Sequence, residues 1–458
     1  MEIQTGALVI VLAYMVGMMI IGYVVGKINI KGSADYLVAG RRMGLFMVAF
    51  SLSANNIGGG STTGLAQKAF GAWGVSAIWY VLAASLAMIP LAYFAPKIRK
   101  TMAITIPEVV GRRFGKLSSN FTAVLSVLSL FCLTSSQIGA SGAVINALIP
   151  AIPLNVCLLL AGFVTIFYTT FGGMIADQVS DLIQFGIILV GLAIATPIVL
   201  KHAGGWAAIS AALPGEKLNM TQIGWASIIG YFFNYFCTFL CAILMAAMAV
   251  FPTLLGLAAF ALKDQLPGLA ENGSNAMMIV TGTYAPGIVT GLISAAIICA
   301  TMSSADSNLL CMSTMIINDI YPGFGGKKKL NDKQTIFYTR ACNVVAALVA
   351  MGISMFGVSL VAMNTFAFGI RCAGPFAAYG LGLAVPKATK NSGMISIFTG
   401  TIAFVVWQIL SNGGTLWFMM PVVFGSLVSV ITFYVVNLIE WKRGVPAAPS
   451  AYAVEEAK

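Results

Sequence analysis

The chain has 458 residues, 59% of them apolar and only 9% charged, and a mean hydropathy of +0.93. That composition excludes a water-soluble domain, whose surface would have to be covered in exposed apolar side chains. The net charge of +11 does not mark a nucleic-acid partner, because the basic residues sit in alternate connectors between apolar stretches, as they do on one face of a membrane.

Apolar stretches of about 20 residues, enough to cross a hydrocarbon core of about 30 Å, recur along the chain. The sequence predicts an all-α polytopic membrane protein with about 13 transmembrane helices, at roughly 5–26, 44–70, 73–96, 118–149, 152–170, 175–200, 222–246, 247–262, 286–317, 334–356, 358–385, 393–410 and 414–441. The first stretch follows Glu2 without a basic leader or a small-residue cleavage pattern, so it reads as a retained span rather than a signal peptide. The tail after Trp441 is too short to fold alone. Lys27, Lys31, Arg41, Arg42, six basic residues in 97–116, five in 327–340, Lys387, Lys390, Lys442 and Arg443 share one side, against Lys201, Lys217 and Lys263 on the other. By the positive-inside rule the N-terminus is outside, the C-terminus is cytoplasmic, and the number of spans in this inner-membrane protein is odd.

The second stretch is irregular. Residues 51–63 put Asn55, Asn56, Gly58, Gly59, Gly60 and the hydroxyls of Ser61, Thr62 and Thr63 at mid-membrane depth. A glycine in a helix interior costs about 1 kcal/mol, and three in succession among polar side chains predict a break. In hydrocarbon a broken helix survives only where it lines a cavity or is buried in protein, and such helices build the binding sites of many secondary transporters. Close packing through small residues is the alternative; it explains the glycines but not the two asparagines.

Asp181 lies near one end of the sixth stretch, in a run that also holds Asp177, Gln178, Ser180 and Gln184. Between Gly224 and Leu262 no residue is charged. Two spans joined there would have no polar segment in which to turn, so either the turn is unusually tight or a loop is missing near 237–248. The ninth stretch carries a second polar island, in which Ser303, Ser304 and Ser307 share a helical face and Asp306 lies among them. A carboxylate within a span costs on the order of 3 kcal/mol and is a functional-site hypothesis by default. Carbonyls, hydroxyls and carboxylates suit a hard cation, and sodium is the abundant one that can drive transport. The eight cysteines fall within apolar stretches and the single histidine, His202, in a connector, so neither a disulfide framework nor a zinc site is expected. Cys237 and Cys241 share a helical face and read as packing.

At these residues the chain resembles the sodium:solute symporter family, which includes sodium/glucose, sodium/proline, sodium/pantothenate and sialic acid transporters. The resemblance is carried by Ser33-Ala34-Asp35-Tyr36-Leu37-Val38-Ala39-Gly40-Arg41, Thr105-Ile106-Pro107-Glu108 with Arg113-Phe114-Gly115, Phe171-Gly172-Gly173, Ser180-Asp181-Leu182-Ile183-Gln184, Met302-Ser303-Ser304-Ala305-Asp306-Ser307 and Asn318-Asp319-Ile320-Tyr321. It implies a sodium-coupled importer of a small organic solute, not an enzyme, with a leucine-transporter-like 5+5 inverted repeat. On that pattern 1–43 hold an extra N-terminal helix and its connector, 44–200 and 201–385 the two repeats, and 386–458 two further helices and a cytoplasmic tail. The principal sodium site is then Ala54, Ile57, Ala300, Ser303 and Ser304. Asp181, Asp306 and Ser307 form a second sodium or proton site, with a carboxylate at 306 where the family has a hydroxyl. The resemblance also implies a polar cytoplasmic connector between the seventh and eighth spans, which this chain lacks.

The solute is expected to meet Asn56, Thr62, Thr63, Gln137, Asn234 and Arg371. Arg371 offers a fork suited to a carboxylate, which favours an anionic or zwitterionic solute over a neutral sugar or polyol; Lys68 is the other basic residue at membrane depth, and snorkelling to the surface is its plainer reading. Rival classes are a channel, which would need repeated filter residues, a membrane sensor, which would need a signalling domain, and a membrane enzyme, for which no nucleophile and base constellation is visible.

Overall fold

A backbone in hydrocarbon must satisfy its own hydrogen bonds, so apolar stretches of this length fold as helices. A computed structural model describes residues 5–234, 239–323, 330–357 and 359–452, with side chains at 5, 45, 88–95, 232–234, 239–244, 247 and 323 left aside. Every named element among the described residues is a helix. In chain order they are α1 Thr5–Asn29, α2 Ser33–Val38, α3 Leu45–Asn56, α4 Thr63–Lys68, α5 Trp79–Thr101, α6 Ile106–Phe114, α7 Lys116–Leu148, α8 Leu154–His202, α9 Gly205–Ala212 and α10 Trp225–Asn234. They continue with α11 Phe239–Ala261, α12 Ala276–Tyr284, α13 Gly287–Met315, α14 Tyr321–Gly323, α15 Asp332–Ser354, α16 Leu360–Ala373, α17 Gly382–Ala384, α18 Lys390–Leu410 and α19 Pro421–Lys442. Eight helical segments among them are individually long and apolar enough to cross a membrane.

The 49 residues of α8 would extend about 70 Å as one rod, far more than a bilayer core. Gly173, at φ 59 and ψ −170, breaks that rod into two arms, where the sequence places the boundary between its fifth and sixth stretches. A side chain at 173 would lie 2.7 Å from the ring of Tyr36. Tyr36 is fully buried, donates its hydroxyl to the Thr170 carbonyl at 3.1 Å and accepts from Asn343 at 3.2 Å. The connector after α1 is therefore wedged into the joint.

The division of 222–262 at residue 247 does not hold. α11 runs unbroken from Phe239 to Ala261 with Pro252 inside it; an uncharged run rich in Ala, Leu, Met and Phe has no polar group at which to leave the helix, and neighbouring structure accommodates the proline. Residues 235–238, and with them Cys237 and the first two positions of the expected seam, lie outside the described residues, whereas from residue 239 to 248 the chain is continuous helix and no loop is missing there.

α13 is the central post. It packs against α1, α3, α7, α8 and α15, and from Ile293 to Leu310 every residue on it is buried. Ser141 on α7 and Thr301 on α13 join these helices through a hydroxyl contact of 2.5 Å. The last two helices lie mainly against each other, with Trp407 stacked on Phe424 at 4.0 Å.

Polar chemistry concentrates in the connectors. Thr105 caps α6 by accepting from the Glu108 amide, and Asn331 caps α15 in a reciprocal box with Gln334. Ser33 donates to Asp332 at 2.8 Å, tying the first basic connector to the start of α15. The Lys31 amide and the Arg42 guanidinium, 2.6 Å away, hold the Asp35 carboxyl below its ordinary range. On the opposite face Lys217 lies with its ammonium 3.4 Å from the centre of the Phe260 ring; burial, with repulsion from Lys263 second, brings its pKa down to about 8.

Candidate cation and solute sites

α3 ends at Asn56 and α4 begins at Thr63. Between them the Gly64 amide donates back to the Gly59 carbonyl at 2.8 Å, and Thr62 and Thr63 donate their hydroxyls to Gly58 and Gly59. The Gly59 amide donates to the side-chain oxygen of Gln137 on α7 at 2.6 Å. No room remains for side chains: a Cβ at Gly58 would collide with the Gln137 amide, and one at Gly60 with the Asn364 amide. Ser136 donates to Asn364 at 2.5 Å, so α7 and α16 grip the break together.

α13 meets the break with hydroxyls. Ser303 donates to the Ala54 carbonyl at 3.0 Å and Ser304 to the Asn55 carbonyl at 2.6 Å, and both lie 3.1 Å from the Ala300 carbonyl. Ala54, Ala300 and Ser303 are fully buried. Carbonyl and hydroxyl oxygens thus converge from two helices, a neutral hard-donor set that fits a small cation. Ile57, also fully buried, is tied within its own helix through its amide to Ser53 and Ala54. The Asn55 carbonyl joins the cluster in a way that residue type could not show.

One to two turns further toward the basic face, Asp177, Asp181 and Asp306 bring one carboxylate oxygen each to within 4.8 Å of one another, and all three are buried. Oxygens bound to one ion at about 2.4 Å lie no further apart than this. Ser307 donates to both oxygens of Asp177, at 2.9 and 3.1 Å, and Ser51 to Asp181 at 2.5 Å. Among the described residues Asp181 Oδ1 and Asp306 Oδ2 have no hydrogen-bond partner. Neither of the ion pairs among the described residues involves Asp306. Asp177 is the functional candidate that sequence reasoning passed over, although its i−4 spacing from Asp181 puts both acids on one helical face.

The remaining candidates divide. Thr63 lines a cavity of about 820 Å³ that reaches the break from the side opposite the basic connectors, walled by α7, α12, the 267–275 loop and the start of α16. Asn56 donates to Leu52 within its own helix and Thr62 and Gln137 are bound within the break. The side chain of Asn234 lies outside those described. Lys68 sits over the Trp73 ring at 5.2 Å, and Arg371 over Phe368 at 5.1 Å. Arg371 is two turns of α16 beyond Asn364, about 10 Å further toward the basic face, and does not line the cavity.

A discontinuous helix at mid-depth, gripped by a buried helix whose hydroxyls face its carbonyls, with an access cavity on one side, defines a secondary transporter. The sodium:solute symporter family matches residues 36–223 and 227–400. The chain belongs to that family, so it is a sodium-coupled importer of a small solute and a multi-pass membrane protein, not an enzyme. It is 25% identical over 485 residues to a sodium/proline symporter of Staphylococcus aureus, covering 95% of this chain and 93% of the relative. Its fold is similar to that of a sodium-coupled sialic acid symporter in a substrate-bound outward-open state, with a TM-score of 0.79, 22% identity, and coverage of 97% and 98% of the two chains. It is also similar to the nucleobase–cation symporter Mhp1, with a TM-score of 0.61, 15% identity, and coverage of 93% and 98%.

Proposed function

We propose that this chain imports a small organic solute by alternating access around two sodium sites, and that the observation carrying this reading is the pair of α13 hydroxyls on the carbonyls of the broken helix. The principal ion is held by Ala54, Ala300, Ser303 and Ser304, with Ile57 as the family pattern has it and the Asn55 carbonyl added. The second is held by Asp181, Asp306 and Ser307, with Asp177 beside them. Residues 44–200 and 201–385 act as the two inverted repeats, within about thirteen spans, and the basic connectors face the cytoplasm with the C-terminus. The cavity above the break is the outer entrance.

The test is sodium-driven tracer uptake into proteoliposomes. Removing a ligand hydroxyl leaves the ion under-coordinated at a cost of about 1–3 kcal/mol, so Ser303→Ala and Ser304→Ala are each expected to raise the half-saturating sodium concentration by about tenfold. Unchanged sodium dependence in both variants at normal abundance sinks the assignment.

A further inference from the structure

We propose that the solute carries no formal charge: it is a small polyhydroxyl or amide-bearing molecule, held by neutral hydrogen-bonding groups within an otherwise apolar lining. This rests on the symporter reading and names the class of molecule that the outer cavity admits. Among the described residues none of those lining the cavity is charged, and the sequence places no charged residue at 232–244, where side chains are not described. The basic groups nearby are turned to other partners. Lys68 covers Trp73 and Lys217 lies against Phe260, while Asp264 and Glu271 are exposed in the outer loop.

A carboxylate entering this space would give up water without meeting a cation, and a zwitterion would leave both its ends unpaired. The principal sodium ligands offer no remedy, because neither Ala54 nor Ser303 lines the cavity. Arg371 lies about 10 Å beyond the floor.

A neutral solute is matched. Among the described residues the Gln67 amide and the hydroxyls of Ser274 and Ser359 have no hydrogen-bond partner, whereas Ser135, Ser136 and Thr63 are bonded to backbone or to Asn364 and remain acceptors. Met278, Ile279, Leu360 and Met363 add apolar lining to the same cavity. A few uncharged donors and acceptors within an otherwise apolar lining are what small-molecule pockets use to orient uncharged ligands.

The experiment uses the full chain, purified, with thermal unfolding and proteoliposome uptake as readouts. Probes are D-glucose, myo-inositol and acetamide as neutral molecules, L-proline as a zwitterion, and lactate and N-acetylneuraminate as anions, each in sodium and in choline medium. At least one neutral probe is expected to stabilise the protein and enter vesicles only with sodium, and the charged probes to do neither. Gln67→Ala is expected to weaken the neutral probe about fivefold to tenfold, the loss of one neutral hydrogen bond, while leaving stabilisation by sodium alone unchanged. Sodium-dependent uptake of proline, lactate or N-acetylneuraminate overturns the proposal and leaves the symporter reading standing. So does stabilisation by sodium with no response to any neutral probe. A protein indifferent to sodium fails at the earlier step, and both readings fall.

Discussion

Among the described residues Asp181 and Asp306 each keep one oxygen without a hydrogen-bond partner, whereas both oxygens of Asp177 accept from Ser307. Like charges at this spacing repel by about 3 kcal/mol per pair at an effective dielectric constant near 20, so three ionised carboxylates would need a cation or a proton, and the oxygens without a partner are the ones free to take it. Asp181→Asn and Asp306→Asn are therefore expected to raise the sodium requirement about tenfold, and to lower the sodium-to-solute ratio measured in dual-tracer uptake. Asp177→Asn, whose amide oxygen still accepts from Ser307, is expected to have a smaller effect. The reverse order would show that Asp177, not its neighbours, holds the ion. At this scale the sequence was legible where a residue type was costly in its setting: a carboxylate or a run of hydroxyls in an apolar stretch announces itself. It was silent on the Asn55 carbonyl, since every residue has one, and it named Gln137 as a solute contact without its bond to the Gly59 amide, because a polar side chain on a long helix points to the break or away from it according to packing alone.

Among the elements, the break in the second stretch and the joint inside α8 follow from glycine chemistry, and both were readable. The partners that make those glycines obligatory were not, because Asn364 and Tyr36 lie far away in the chain. The split of 222–262 was misread for a different reason: with no charge, no glycine pair and one proline, the sequence holds no mark of where that helix begins. Gly60 provides the test at this scale. Its missing side chain is replaced in space by the Asn364 amide, and overpacking of this kind costs about 1–3 kcal/mol. Gly60→Ala is expected to reduce solute affinity about fivefold or more without loss of folded protein, and Gly60→Ala with Asn364→Ser to recover most of it. A double variant no better than the single one would mean that the glycine serves backbone geometry rather than the fit to α16.

For the whole molecule, the depth of the break matters as much as its ligands. α3 contributes 12 residues between the basic connector and the break, about 18 Å at 1.5 Å per residue, which sets the proposed principal cation site near the middle of the bilayer. The cavity above it is lined without a single charge among the described residues, so no fixed charge along the wall offsets the field through which an entering ion moves. An ion that reaches the midplane from outside has crossed about half of the membrane voltage, worth about 1.2 kcal/mol for each 100 mV. Sodium affinity should accordingly strengthen about sevenfold for every 100 mV of inside-negative potential, and the binding step alone should displace charge, measurable as a transient capacitive current in sodium jumps without solute. A cell that loses its membrane potential would then lose grip on the ion itself, before any change in its sodium gradient.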